Sequence, residues 1–267
     1  MILLIGGTSE TAPLAEGLVR AGYEVLVSTA TDAPLAIGDH PRISRRMGRL
    51  DVDGLVTLGR GKGIRAIVDA AHPYAVAAHA AAHEAAARLG IPCLIFRRAE
   101  VLQPKSDRRI GAPGSRVSFA ADHAEAAQMA FAEGRPVLLT TGSRNLAPYA
   151  QGARRTGVPL AVRILNAPES LAACRAAGIP EDRIIAGRGP FSLAQNLAVI
   201  RRFAVGVIVT KESGRAGGID AKLAAAEEAN CRIIVIGRPE RSSRDPAFDQ
   251  PAALIAALQG LIPSRLN

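Results

Sequence analysis

Short apolar runs, each too brief to be a buried helix, alternate with longer Ala-rich stretches along the whole chain. This alternation limits the fold more than any other feature. Residues 2–5, 24–28, 66–69 and 92–96 read as strands, and so do 136–140, 160–164, 184–186, 205–210 and 232–236. Near-continuous apolar strands separated by helix-length segments imply an α/β protein with parallel sheets covered by helices. Residues 105–116 (KSDRRIGAPGSR) are polar and rich in Gly and Pro and read as a loop, and a helix is expected over 122–133. The strand pattern restarts after Gly134, so two lobes are expected, 1–133 and 134–267, with a cleft between them. VLLTTGSRNLAPYAQG from Val137 aligns without gaps on ILLIGGTSETAPLAEG from Ile2, with Pro148 over Pro13. Two lobes of like build produce such an echo, and so does the general likeness of βα units.

With 267 residues and 48% hydrophobic content, the chain can bury a real core. Its formal charge of +9 is spread out, the longest clusters being pairs such as Arg45-Arg46 and Arg201-Arg202. That charge is either a solvated surface or a field that gathers an anion, and a small polyanion fits it better than a nucleic acid. An aromatic content of 3% without Trp also disfavours stacking on single strands. Cys93, Cys174 and Cys231 lie far apart, which gives no disulfide framework and no C-x-x-C spacing, so a reducing, cytoplasmic location is expected. No basic leader with a cleavage site stands at the start, and no apolar run approaches the roughly 18 residues of a membrane span, so a soluble chain is expected.

The turn after the first strand begins a dinucleotide fingerprint and then breaks it. With the first glycine of G-x-G-x-x-G set on Gly6, Thr8 and Thr11 stand where the other two belong. Gly6-Gly7-Thr8-Ser9 still suits a phosphate, because backbone N–H groups and a helix N-terminus would face it and two hydroxyls add donors. The helix is expected to start near Ser9 or Thr11, capped by either hydroxyl, with Pro13 in its first turn. The second strand ends at Ser28-Thr29 and no acid follows before Asp32. Without an acid for the ribose 2′-OH, Ser28, Thr29 and an Arg from Arg45, Arg46 and Arg49 suit a 2′-phosphate, which favours NADPH over NADH.

Residues 67–75 (IVDAAHPYA) place His72 and Tyr74 at a strand's carboxyl end, near where a nicotinamide would lie. Both are candidate proton donors, with solvent as the alternative source, and packing on the next helix would also account for them. His79 and His83 share a helix face at i, i+4, but no third ligand is evident, so a helix-surface pair and no metal are expected. In the second half, residues 210–218 (TKESGRAGG) precede the helix carrying Lys222. Lys211, Ser213, Gly214, Gly218 and Lys222 there make an anion cradle or else a solvated loop. The turns holding Arg188 (187–192) and Ser143 with Arg144 (141–144) are of the same kind.

Gly6-Gly7-Thr8-Ser9-Glu10, Gly48-Arg49-Leu50-Asp51, the stretch from Asp69 to Ala75, Thr141-Gly142-Ser143, Gly189-Pro190-Phe191, and Thr210 to Gly214 with Gly217-Gly218 and Lys222 occur in that order over nearly the whole chain. Together they resemble the precorrin-6A reductases of cobalamin biosynthesis. The resemblance implies two Rossmann-like lobes and NADPH-dependent reduction of the C18=C19 double bond of precorrin-6A to give precorrin-6B. A basic protein suits such a carboxylate-fringed macrocycle. Gly6, Gly7, Thr8, Ser9, Ser28, Thr29 and Arg49 are then the cofactor residues, and Ser143, Arg144, Arg188, Lys211, Ser213, Gly214, Gly218 and Lys222 the substrate residues. The residues alone also allow an NADPH-dependent reductase of another anionic metabolite, or a nucleotide-binding protein without catalysis.

Overall fold

The computed structural model describes residues 1–32, 34–97, 115–214, 217–239 and 245–263. Most of the loop expected over 105–116 lies outside them, as do Arg215 and Ala216 of the glycine-rich cradle. The chain divides into two compact units, Met1–Ala99 with Pro239–Asn267, and Glu100–Arg238.

The first unit runs β1 (Ile2–Ile5), α1 (Thr11–Arg20), β2 (Val25–Thr29), β3 (Ile43–Met47), α2 (Val52–Lys62), β4 (Ala66–Asp69), α3 (Val76–Leu89) and β5 (Cys93–Phe96). The second holds β6 (Val117–Ala120), α4 (His123–Ala132), β7 (Val137–Leu139), α5 (Ala147–Thr156), β8 (Leu160–Ile164), α6 (Pro168–Ala176), β9 (Ile184–Ala186), α7 (Leu193–Arg202), β10 (Val207–Lys211), α8 (Ile219–Glu228) and β11 (Arg232–Ile236). The chain then returns to the first unit as β12 (Ala247–Phe248) and α9 (Pro251–Leu261).

Each unit is built on a parallel sheet of six strands, ordered β3-β2-β1-β4-β5-β12 in the first and β9-β8-β7-β10-β11-β6 in the second. Five strands of each follow the doubly wound, Rossmann-like order, which reverses between β1 and β4 and between β7 and β10. The sixth positions are exchanged along the chain. The first sheet is completed by a strand that follows the second unit, and the second sheet by a strand that precedes its others.

This exchange moves the boundary expected between residues 133 and 134. β6 lies before that point yet pairs with β11, Val117 opposite Ile233, and α4 packs against α5 and β11. At the other end β12 pairs with β5, Phe248 opposite Phe96, and α9 packs on α1 and β5. The Tyr23 hydroxyl donates to the Ile262 carbonyl at 2.5 Å and His83 Nδ1 lies 2.7 Å from Asp245 Oδ2, which ties the returning segment down further. β3, β6 and β12 are three of the four sheet edges and were not foreseen as strands: they are only partly buried, polar residues break ISRRM and VSFA, and β12 has two residues, whereas the fourth edge, β9, carries the apolar IIA and was expected.

Alternate residues of the first sheet feed two cores. Leu4, Val27, Val68 and Leu94 meet Leu14 and Leu18 of α1 and Leu254 and Leu258 of α9. Leu3, Leu26, Ile67 and Cys93 meet Leu55 of α2 and the small Ala82, Ala85 and Ala86 of α3. In the second unit Ile208, Ile233 and Val235 pack with Leu197 and Ile200 of α7 and Ala225 and Ala226 of α8. No described helix is long and apolar enough to cross a membrane.

The packing of α4 on α5 rests on a close approach at Gly152, where an added Cβ would lie 2.4 Å from Cδ2 of the buried Phe131 ring. Gly152→Ala is expected to destabilise the protein by about 1–3 kcal/mol, the range for overpacking a rigid core. Gly61→Ala, in α2 with nothing within 4 Å of the added carbon, is expected to stabilise it by about 0.5–1 kcal/mol. Urea melts of the two variants check the opposite signs; a neutral Gly152→Ala would show that α4 does not seat on α5.

Candidate functional site

The broken fingerprint has a structural reason. A Cβ on Gly6 would lie 2.7 Å from Thr11 Cγ2, so the first glycine makes room for the threonine that stands at the third position. Thr11 Oγ1 accepts from the backbone N–H of Gly7 at 3.1 Å and of Thr8 at 3.2 Å, closing the turn from inside. The hydroxyl therefore does not cap its own helix as expected; Glu10 holds the N-cap without a side-chain cap bond. Thr8 is buried and donates to the Ala70 carbonyl at 3.3 Å, which ties this turn to the one after β4. Of the four residues expected to face a phosphate, Gly7 (φ +119°, open space beside its Cα) and Ser9 are exposed.

Ser28 and Thr29 end β2 as expected, and the edge strand β3 lays two arginines on them. In the parallel register Ser28 lies opposite Arg46 and Val27 opposite Arg45. Arg46 Nη1 donates to Ser28 Oγ at 2.9 Å, and Arg45 Nε donates to Thr29 Oγ1 at 3.1 Å. Arg49 stands exposed in the turn beyond, where Asp51 caps α2 by accepting from Gly54 N–H at 2.9 Å. The Arg pair was visible in the sequence, but its reach to the hydroxyls depends on β3 being a strand.

After β4, Asp69 is fully enclosed. His79 Nδ1 lies 2.7 Å from Asp69 Oδ2, its Nε2 lies 3.1 Å from the His72 carbonyl, and Asp69 Oδ1 accepts from Ala71 N–H at 3.2 Å. His79 is thus no helix-surface residue: α3 starts across the end of β4 and turns it inward, where it pins the His72 loop. His83 does stay at the surface, beside Asp245. His72 is exposed, its Nδ1 accepts from Tyr74 N–H at 3.4 Å, and the two rings are 5.7 Å apart. Among the described residues no three or more His, Cys, Asp or Glu side chains are grouped to hold a metal.

In the second unit the turns after β7 and β10 flank the reversal of strand order. Ser143 Oγ donates to Ser170 Oγ at 3.2 Å, and Gly142 has φ +84°. Lys211 ends β10; burial, and then the charge of Arg144, pull its pKa below the usual lysine value. Burial and Lys211 in turn push His123 down to about 4, and His123 lies within 3.0 Å of both the Tyr149 hydroxyl and Asn145 Nδ2. The glycine-rich cradle is held by a buried ion pair, Arg238 Nε donating to Glu212 Oε2 at 2.7 Å, while Glu212 Oε1 accepts from Gly214 N–H at 3.3 Å. Ser213 is buried beside it. Gly218 opens α8 at φ +73°, with space for a Cβ closed to 3.2 Å by Pro190, and Lys222 Nζ donates to the Gly217 carbonyl at 3.1 Å. Arg188 lies in the turn after β9.

One charged group was missed altogether. Arg163 sits within β8 and is only 5% exposed. Its Nη1 donates to Asn196 Oδ1 at 2.6 Å, and its Cζ lies 4.2 Å from the centre of the Phe191 ring. Burial lowers its pKa to about 10, and its charge joins burial in lowering Lys222 to about 8. The available signal was a lone arginine in the apolar run LAVRI.

The chain matches the family model described as precorrin-6x reductase CbiJ/CobK over residues 1–259. It is 33% identical over 241 residues to the cobalt-precorrin-6A reductase of Priestia megaterium, covering 90% of this chain and 91% of that one. To the precorrin-6A reductase of Rhodococcus erythropolis it is 33% identical over 259 residues, 96% of each chain. Among solved structures, CobK precorrin-6A reductase matches with a TM-score of 0.79 at 25% identity, over 99% of this chain and 98% of that one. Because the match runs through both units, exchanged strands included, the chain belongs to the precorrin-6x reductase family.

Proposed function

We propose that this precorrin-6A reductase of cobalamin biosynthesis takes its hydride from NADPH, held on the first unit, and gathers the carboxylates of the macrocycle on the second. The observation that carries the cofactor reading is the end of β2, where Ser28 and Thr29 meet the guanidinium groups of Arg46 and Arg45 and the sequence offers no acid before Asp32 to take a 2′-hydroxyl. These residues fit a 2′-phosphate. When bound, the nicotinamide supplies the hydride that reduces the C18=C19 bond.

The work of the chain is to position and to compensate charge. Gly7, without a side chain, and the hydroxyl of Ser9 face the pyrophosphate, while Gly6 and Thr8 hold the turn in shape. Arg46 and Arg45 join Ser28, Thr29 and Arg49 around the 2′-phosphate. His72 and Tyr74, on the loop pinned by His79, are the candidates to deliver a proton to the carbon beside the reduced one. Ser143, Arg144, Arg188, Lys211, Ser213, Gly214, Gly218 and Lys222 form the carboxylate-binding face. We place the enzyme in the cytoplasm, a reading supported by Cys93, Cys174 and Cys231, which are buried and lie too far apart in the sequence to suggest a disulfide framework.

Isothermal titration with NADPH and NADH tests the cofactor reading. Wild type is expected to prefer NADPH, and Arg46→Ala to weaken NADPH binding by about 10- to 100-fold, as for lost hydrogen bonds to a charged group, with NADH little changed. Equal affinity for both nucleotides would remove the 2′-phosphate site.

Lys222 gives a pH test. Its folded pKa of about 8 lies below the ordinary 10.5, so the unfolded chain binds more protons between these values and the ligand-free protein gains stability as pH rises through that window. Substrate affinity runs the other way, falling as pH rises past about 8 and the ammonium is lost. Lys222→Met is expected to raise the Tm at neutral pH, raise KM for precorrin-6A and flatten the alkaline loss of affinity. A pH profile of KM unchanged by the substitution would take Lys222 out of the site.

A further inference from the structure

The Arg163 guanidinium is held by two contacts. Asn196 accepts from Nη1 at 2.6 Å and is itself fixed, its Nδ2 donating to the carbonyls of Phe191 at 3.3 Å and Ser192 at 2.9 Å. The Phe191 ring sets the plane of the group from 4.2 Å away. The Ser192 and Gln195 capping box at the start of α7 locks the same stretch of backbone. On the remaining side, Nε is buried and makes no hydrogen bond, and Nη2 meets no acceptor among the described residues. Lys222 stands near enough for its charge to be felt, and among the described residues neither cation meets a carboxylate.

A protein gains nothing from setting a half-buried lysine against a buried arginine that has a donor unmet, since an unpaired buried charge is strongly unfavourable. Such an arrangement is kept where a ligand completes it. With Nη1 committed to Asn196, the open edge is the one formed by Nε and Nη2, two parallel donors spaced to match the two oxygens of one carboxylate. We propose that Arg163 is a substrate-binding residue, its Nε–Nη2 edge taking one carboxylate of precorrin-6A side-on while Lys222 supplies the second positive charge. This rests on the reading of the chain as a reductase of precorrin-6A and assigns one fixed point in its substrate face.

The first measurement is turnover of precorrin-6A by wild type with NADPH; a wild type that leaves precorrin-6A unreduced removes that reading and this proposal with it. Given turnover, Arg163→Met is expected to raise KM for precorrin-6A by about 10- to 100-fold, with the Kd for NADPH unchanged and the Tm at or above that of wild type, because a desolvated charge has been replaced by an apolar chain of similar volume. Arg163→Lys is expected to recover part of the loss. A folded Arg163→Met with wild-type KM overturns the proposal. If Arg163→Met does not fold, the Nε–H resonance of Arg163 in ¹⁵N-labelled wild type decides: a shift on saturation with precorrin-6A supports the contact, and an unmoved resonance overturns it.

Discussion

Where the strand order of a parallel sheet reverses, successive connections leave toward opposite faces and the loops at the carboxyl ends part. Both sheets are subject to this constraint, and the candidate chemistry collects around the two points it creates. In the first sheet the turn after β1 carries Gly7 and Ser9, and the loop after β4 carries His72 and Tyr74, with the Thr8 hydroxyl bonded across to Ala70. In the second the turn after β7 carries Ser143 and Arg144, and the loop after β10 carries Lys211 and the glycines up to Gly218. The neighbouring strands then set the character of each place: β2 and β3 bring hydroxyls and arginines, and β8 brings Arg163.

The central strands were legible in the sequence because burial on both faces writes itself as an unbroken apolar run. Three of the four edge strands leave no such trace; the fourth, β9, keeps an apolar IIA. ISRRM is half exposed, and VSFA and the two residues of β12 are short, so β3, β6 and β12 and the domain boundary they define had to come from the structure. The site divides in the same way. The glycine turns, Ser28, Thr29 and Lys211 follow from where strands end, which the sequence reveals. Arg163 was hidden by the very run that made β8 recognisable, and the inward turn of His79 depends on how α3 crosses β4, a tertiary fact with no local signature.

Electrostatics give the two units opposite characters. In the first, the buried His79 lies against Asp69, and Arg45 and Arg46 of β3 rest on hydroxyls and carbonyls. In the second, Glu212 is matched by Arg238, but Arg163 and Lys222 are desolvated without an acid among the described residues, and Arg144 presses on Lys211. Unpaired, desolvated cations of this kind cost stability, and the proposed substrate site is where that cost would be recovered.

The exchanged sixth strands also bear on how the chain is made. Synthesis proceeds from the N-terminus, and a domain usually folds once its residues have emerged. Here the first unit stays unfinished until β12 and α9 appear: β5 lacks its outer neighbour, and the apolar faces of Leu14 and Leu18 lack Leu254 and Leu258. The second unit is continuous in sequence and is complete before that. The unit begun first is therefore closed last, and the open edge of β5 must be kept from other unpaired strands for as long as the ribosome needs to make the whole of the second unit.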